Sequence, residues 1–115
     1  MSEQVVFQGR LAFEKLKAES DKLILLEVGA PHCSACETLK PLLHQLAAEQ
    51  DGNFYLVDID MTEEPDLAIE FGVRSAPTVL LFKGDRLIEK IAGLKPKKFY
   101  SETIQKSLYS NARDI

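Results

Sequence analysis

Three features of this 115-residue sequence predict an α/β fold with a central mixed sheet and helices on both faces. Strand-like and helix-like patterns alternate along most of the chain, which implies parallel crossovers. Leu23-Ile24-Leu25-Leu26-Glu27-Val28 is apolar on both alternating faces apart from one residue, as expected of a central strand covered on two sides. Two further β runs are separated only by Lys83-Gly84-Asp85, too short for a crossover, so they form an antiparallel hairpin and make the sheet mixed.

Taken in order, Val5-Val6-Phe7 reads as a short first strand and Arg10 to Ser20 as a helix with Leu11, Phe13 and Leu16 among charges. The central strand follows. Ser34 to Gln50 then carries Leu39, Leu42, Leu43, Leu46 and Ala47 at helical spacing, and Asp51-Gly52-Asn53 stops it. Phe54 to Ile59 is a strand, and Glu63 to Phe71 a short acidic helix closed by Gly72. Thr78 to Phe82 and Arg86 to Ala92 form the hairpin. Pro96 opens a last helix with Tyr100, Ile104 and Leu108 at i, i+4 and i+8 and Phe99 alongside.

At 45% hydrophobic the chain can bury a core of its own, and without repeats or Gly/Ser-rich linkers residues 1–115 are expected to form one domain, a monomer. The net charge of −4 comes from 18 acidic and 14 basic residues dispersed along the chain, which leaves no footprint for nucleic acid or anionic lipid. No apolar run approaches the roughly 18 residues of a membrane span. Met1-Ser2-Glu3-Gln4 leads straight into patterned sequence without a charged-then-apolar leader, so a soluble cytoplasmic protein is expected.

Cys33-Ser34-Ala35-Cys36 contains the only two cysteines, at the junction of the central strand and the long helix. Such a pair can open and close without unfolding the domain, which points to thiol–disulfide exchange. As a staple it would do little, because closing so short a loop stabilises by about 2 kcal/mol against about 4.7 for a hundred-residue loop. In a reducing compartment a lone disulfide is normally transient and catalytic. Cys36 continues the buried helical stripe of Leu39, Leu43 and Leu46, whereas Cys33 sits at the helix start, where unpaired N–H groups and the dipole favour an anion. An accessible thiolate and a sheltered resolving thiol are what exchange requires.

Zinc is disfavoured: Cys33, Cys36 and His32 offer at most three ligands, and His44 lies roughly 16 Å further along the helix. The acidic positions Asp58, Asp60, Glu63, Glu64 and Asp66 lack calcium-loop spacing and read as a solvated face.

Ala30-Pro31-His32-Cys33-Ser34-Ala35-Cys36 spans the junction, Pro41 follows five residues after Cys36, Phe71-Gly72-Val73-Arg74-Ser75-Ala76-Pro77-Thr78-Val79-Leu80-Leu81-Phe82-Lys83-Gly84 runs into the hairpin, and Gly93 follows its second strand. On these stretches, along nearly its whole length, the sequence resembles the thioredoxin family. The first stands in the place of the active-site loop, Pro41 where thioredoxins carry a helix-kinking proline, the Phe71–Gly84 stretch looks like the second signature, and Gly93 matches a glycine after the last strand. The resemblance implies the thioredoxin fold, with Cys33 as nucleophile, Cys36 as resolving thiol and a cis Ala76-Pro77 bond beside them. Ala76 would then be free to pair with an extended substrate. Glu27, six residues before Cys33, takes the position of the family's buried acid, where a carboxyl would have a raised pKa and accept the proton of Cys36. The alternative is a Glu turned to a solvent edge. The family has Asp here, and Leu56 stands where a lysine often accompanies it.

The chain has no tryptophan; His32 replaces the one that usually precedes the first cysteine, and Ser34-Ala35 replaces Gly-Pro. Either His32 adds charge beside Cys33 or it is a solvated surface residue. These changes fall on the partner-facing surface of His32, Ser34, Ala35, Ala76, Pro77 and Gly93. The expected function is a dithiol reductant of protein disulfides, with no bound cofactor and with a thiol reductant or reductase to recycle it. The rival reading is a binding or adaptor domain with a dedicated partner.

Overall fold

A computed structural model describes residues 4–110. Nine elements run in the order β1 (Val6–Gln8), α1 (Arg10–Glu19), β2 (Leu23–Gly29), α2 (Ser34–Glu49), β3 (Phe54–Asp60), α3 (Pro65–Glu70), β4 (Thr78–Lys83), β5 (Arg86–Ala92) and α4 (Lys97–Ser110). They form a five-stranded sheet ordered β1-β3-β2-β4-β5. β1 and β2 pair parallel to β3, whereas β4 runs antiparallel to both β2 and β5. This is the mixed α/β architecture of the thioredoxin fold.

β2 lies at the centre, and all seven of its residues are buried. Alternate side chains enter two cores. Leu23 and Leu25 pack with Leu39, Leu43 and Leu46 of α2 and with Tyr100 and Ile104 of α4. Ile24, Leu26 and Val28 pack on the other side with Phe13 of α1 and Leu67 of α3. That second core closes around a triangle of aromatic rings, Phe13, Phe71 and Phe82, in edge-to-face contact.

The boundaries follow local chemistry. α1 starts after Gly9, at φ 93°, and its first N–H is capped from a distance: both Glu64 carboxylate oxygens accept from Arg10 N, at 3.1 and 2.9 Å. α3 begins at Pro65, two residues later than the apolar pattern predicts, because Glu63 N and Glu64 N instead turn back onto the Asp60 carbonyl and proline favours the first helical position. β1 is shifted one residue from the predicted Val5–Phe7.

Pro41 lies inside α2 on its exposed side, and the helix continues through it to Glu49. The hairpin turns at Gly84-Asp85, with Gly84 at φ 60°.

α4 is fastened to the sheet by a buried hydroxyl. Tyr100 OH accepts from Lys95 N at 3.0 Å and donates to the Gly93 carbonyl at 3.2 Å, while Gly93 N donates to the Pro77 carbonyl at 2.8 Å. Tyr100→Phe removes both hydroxyl contacts in a buried setting and is expected to cost about 1–2 kcal/mol. Urea unfolding measures this, and an unchanged midpoint would show that the hydroxyl holds nothing.

Candidate functional site

The end of β2 and the start of α2 bring the two cysteines together, joined as a disulfide with Cα atoms 5.2 Å apart. Cys33 is the N-cap of α2, and its Sγ accepts from Cys36 N at 3.2 Å. It is partly exposed, while Cys36 is buried at 7% exposure, next in the helical stripe to Leu39 and Leu43. Backbone donors at a helix start stabilise negative charge, so only Cys33 combines access with anion stabilisation.

The rim comes from two other segments and from the residues that flank the cysteines. The Ala76-Pro77 peptide is cis, and the Ala76 carbonyl oxygen lies 3.8 Å from Cys33 Sγ. Pro77 is buried, and Thr78 Oγ1 donates to the Ser75 carbonyl at 2.8 Å, holding the loop before β4. Gly93, tied to Pro77, is partly exposed at φ 85°. His32 and Ser34 are exposed and Ala35 partly so. His32 has φ 56°, a left-handed conformation uncommon for a residue with a side chain, and it turns the chain from Pro31 into the helix cap.

Glu27 is 3% exposed, in β2 on the same side of the sheet as α2 and α4. A β-carbon built on Gly29 would lie 2.9 Å from Glu27 Oε2 and 3.7 Å from Cys36 Sγ, so carboxyl and sulfur face each other across a missing side chain. Burial, then the neighbouring charge of Asp58 and a hydrogen bond to it, raise the Glu27 carboxyl from 4.5 to about 8, and the Lys40 charge opposes them.

Asp58 departs from the solvated face expected of the acidic stretch. It is 7% exposed, directly opposite Glu27 in the β2–β3 register, and its Oδ2 accepts from His44 Nε2 at 2.8 Å. Asp60 does lie outside, where Thr62 N and Oγ1 hold its carboxylate below the usual range.

Sequence reasoning missed Asp58, His44 and Gly29. Signals were present: Cys36, Lys40 and His44 fall at i, i+4 and i+8 of α2, and Asp58 shares the alternation of Phe54 and Leu56, which point into the core. A cleft of about 350 Å³ lined by Glu27, Gly29, Cys36, Lys40 and Asp58 connects the buried carboxyls with the cysteine loop. Among the described residues, no three His, Cys, Asp or Glu side chains are grouped to hold a metal ion, and no helix is long and apolar enough to cross a membrane.

A redox-active cysteine pair with unequal environments, on a mixed sheet beside a cis-proline loop, defines a thiol–disulfide oxidoreductase that carries electrons on its own sulfurs. A family model described as thioredoxin matches residues 4–106, and the chain belongs to the thioredoxin family. It is 31% identical to Thioredoxin 1 of Nostoc sp. over 84% of this chain and 90% of that protein. Against the chloroplastic Thioredoxin M4 of Arabidopsis thaliana it is 38% identical over 78% of its length, but spans only 47% of that longer protein. Among solved structures, thioredoxin NaTrxh from Nicotiana alata superposes with a TM-score of 0.79 at 31% identity, covering 92% of this chain and 96% of the other.

The buried acid generates a pH signature. Folding keeps the proton on Glu27 up to about pH 8, whereas its ordinary value is 4.5, so the folded state binds the extra proton across that interval. The Glu27 contribution to stability therefore falls as pH rises through that interval, by about 1.4 kcal/mol per unit, and is constant on either side of it. Glu27→Gln removes the titration, so its stability relative to wild type should climb across the same window. Urea unfolding at a series of pH values tests this; parallel curves would contradict it.

Proposed function

We propose that the chain acts as a single monomeric domain that reduces protein disulfides in a reducing compartment such as the cytoplasm, where a lone disulfide is transient. The observation that carries this reading is the contrast between Cys33, partly exposed at a helix cap, and Cys36, buried beside Glu27.

The Cys33 thiolate attacks one sulfur of a substrate disulfide. That bond breaks, the other substrate sulfur leaves as a thiolate, and a mixed disulfide remains. Cys36 then passes its proton to the Glu27 carboxylate and attacks Cys33 Sγ. The bond from Cys33 to the substrate breaks, the second substrate sulfur departs as a thiolate, and the Cys33–Cys36 disulfide closes, two electrons having passed to the substrate. An external thiol reductant or a reductase returns the pair to the dithiol. An ordinary carboxyl is too weak a base for a thiol near 8.5, and raising Glu27 to about 8 matches the two.

His32, Ser34, Ala35, Ala76, Pro77 and Gly93 surround Cys33 as the surface that meets the substrate. An extended segment of the substrate pairing with the Ala76 backbone would bring its disulfide to Cys33.

Turnover of insulin disulfides with dithiothreitol as reductant tests the assignment. Wild type should be active, Cys33→Ser inactive without forming a mixed disulfide, and Cys36→Ser should accumulate a stable mixed disulfide through Cys33. Inactivity of wild type despite a reversible Cys33–Cys36 disulfide would favour a domain dedicated to one partner.

A further inference from the structure

We propose that Asp58, anchored by His44, is the positioning residue that sets the proton affinity of Glu27 and so the pH at which Cys36 can resolve a mixed disulfide. The inference rests on the reading of Glu27 as the group that takes the Cys36 proton.

Three observations carry it. Asp58 and Glu27 stand directly opposite in adjacent parallel strands, on the face covered by α2. The Asp58 side chain is 9% exposed and is oriented by the 2.8 Å hydrogen bond from His44 Nε2 to Oδ2. Its other oxygen, Oδ1, is buried and takes no hydrogen bond from any N–H or hydroxyl among the described residues. A buried acceptor of this kind is costly to leave unpaired, and the donor at hand is the carboxyl proton of Glu27. Two carboxyl groups so placed cannot both ionise cheaply, so the charge on Asp58 holds the proton on Glu27.

The groups around the pair act in opposite directions. From α2, Lys40 Nζ lies 4.0 Å from Asp58 Oδ2 and favours ionised Glu27, Cys36 faces Glu27 across Gly29, and His44 binds Asp58. From α4, Tyr100 feels the Glu27 charge, and from β4 the register partner is the apolar Val79. Asp60, Glu63, Glu64 and Glu37 line the outer cleft. The site thus holds one strong negative influence, Asp58, against one positive, Lys40. When Cys36 loses its proton, Glu27 must be ionised to receive it, and the balance of Asp58 and Lys40 fixes how often it is. The proton then sits on Glu27, hydrogen-bonded to Asp58, until the cleft returns it to solvent.

The test follows the Glu27 carboxyl carbon by ¹³C NMR titration of the oxidised protein, in parallel with the pH dependence of substrate release from a preformed mixed disulfide on Cys33. Asp58→Asn should lower the Glu27 midpoint by about one pH unit, a tenfold loss of proton affinity, and Lys40→Gln should raise it. The release profiles should move in the same two directions. A Glu27 midpoint unmoved in Asp58→Asn overturns the inference, as do shifts of the same sign in both variants, which would mark general loosening of the site. A Glu27→Gln release profile identical to wild type instead removes the base role of Glu27, and leaves its coupling to Asp58 to be read from the titration alone.

Discussion

The burial of β2 on both faces and along both edges is the constraint on which the rest of this structure depends. Its neighbours β3 and β4 occupy its hydrogen-bonding edges, and α1 with α3 and α2 with α4 cover its faces. A strand so enclosed has no route to solvent except through its end, and the chain leaves it at Gly29 to begin α2 at Ser34. The cysteines occupy that exit, at the carboxyl end of a central strand, where open α/β sheets gather their chemistry. The helix that must return over the sheet supplies both the exposed cap for one thiol and the buried stripe for the other. Fold and redox asymmetry thus have one cause.

The same enclosure raises the proton affinity of an ordinary carboxyl. An ionised carboxylate inside the sheet is expensive, so Glu27 keeps its proton to about pH 8 instead of 4.5. At neutral pH most molecules then keep this proton, yet each ionised carboxylate is close to a thiol in proton affinity. Gly29 makes this arrangement sterically feasible, since a β-carbon there would meet Glu27 Oε2 at 2.9 Å. The protein carries a destabilising buried acid in its core strand, and the proposed proton transfer from Cys36 is a use for which such a residue is suited.

Much of this was legible in the sequence, for identifiable reasons. The run from Leu23 to Val28 announced a two-sided strand, the Lys83-Gly84-Asp85 connection announced the hairpin, and the stripe through Cys36, Leu39 and Leu43 separated the two thiols. What stayed hidden depended on register and on contacts far apart in the chain. Asp58 looked like part of a solvated acidic run because nothing local reveals that β3 sets it against Glu27. His44 lies too far along the helix from Cys33 to share a metal with it, and only the one-turn spacing from Lys40 shows that it reaches the same carboxyl. The start of α3 slipped because a backbone turn onto Asp60 outweighed the apolar pattern.

Two chemically separate devices serve the cysteine pair, and their separation explains how the active-site loop can vary. Stabilisation of Cys33 comes from the backbone at the cap of α2, where Cys36 N points at its sulfur, and needs no particular side chain. The proposed proton handling belongs to β2, β3 and the Lys40–His44 side of α2, behind the loop. His32, Ser34 and Ala35 lie in the loop itself, beside the two cysteines. His32 and Ser34 are exposed and Ala35 partly so, around the capped sulfur rather than behind it. His32, exposed and in a left-handed conformation before the cap, sets beside Cys33 an imidazole, a smaller and more polar side chain than an indole.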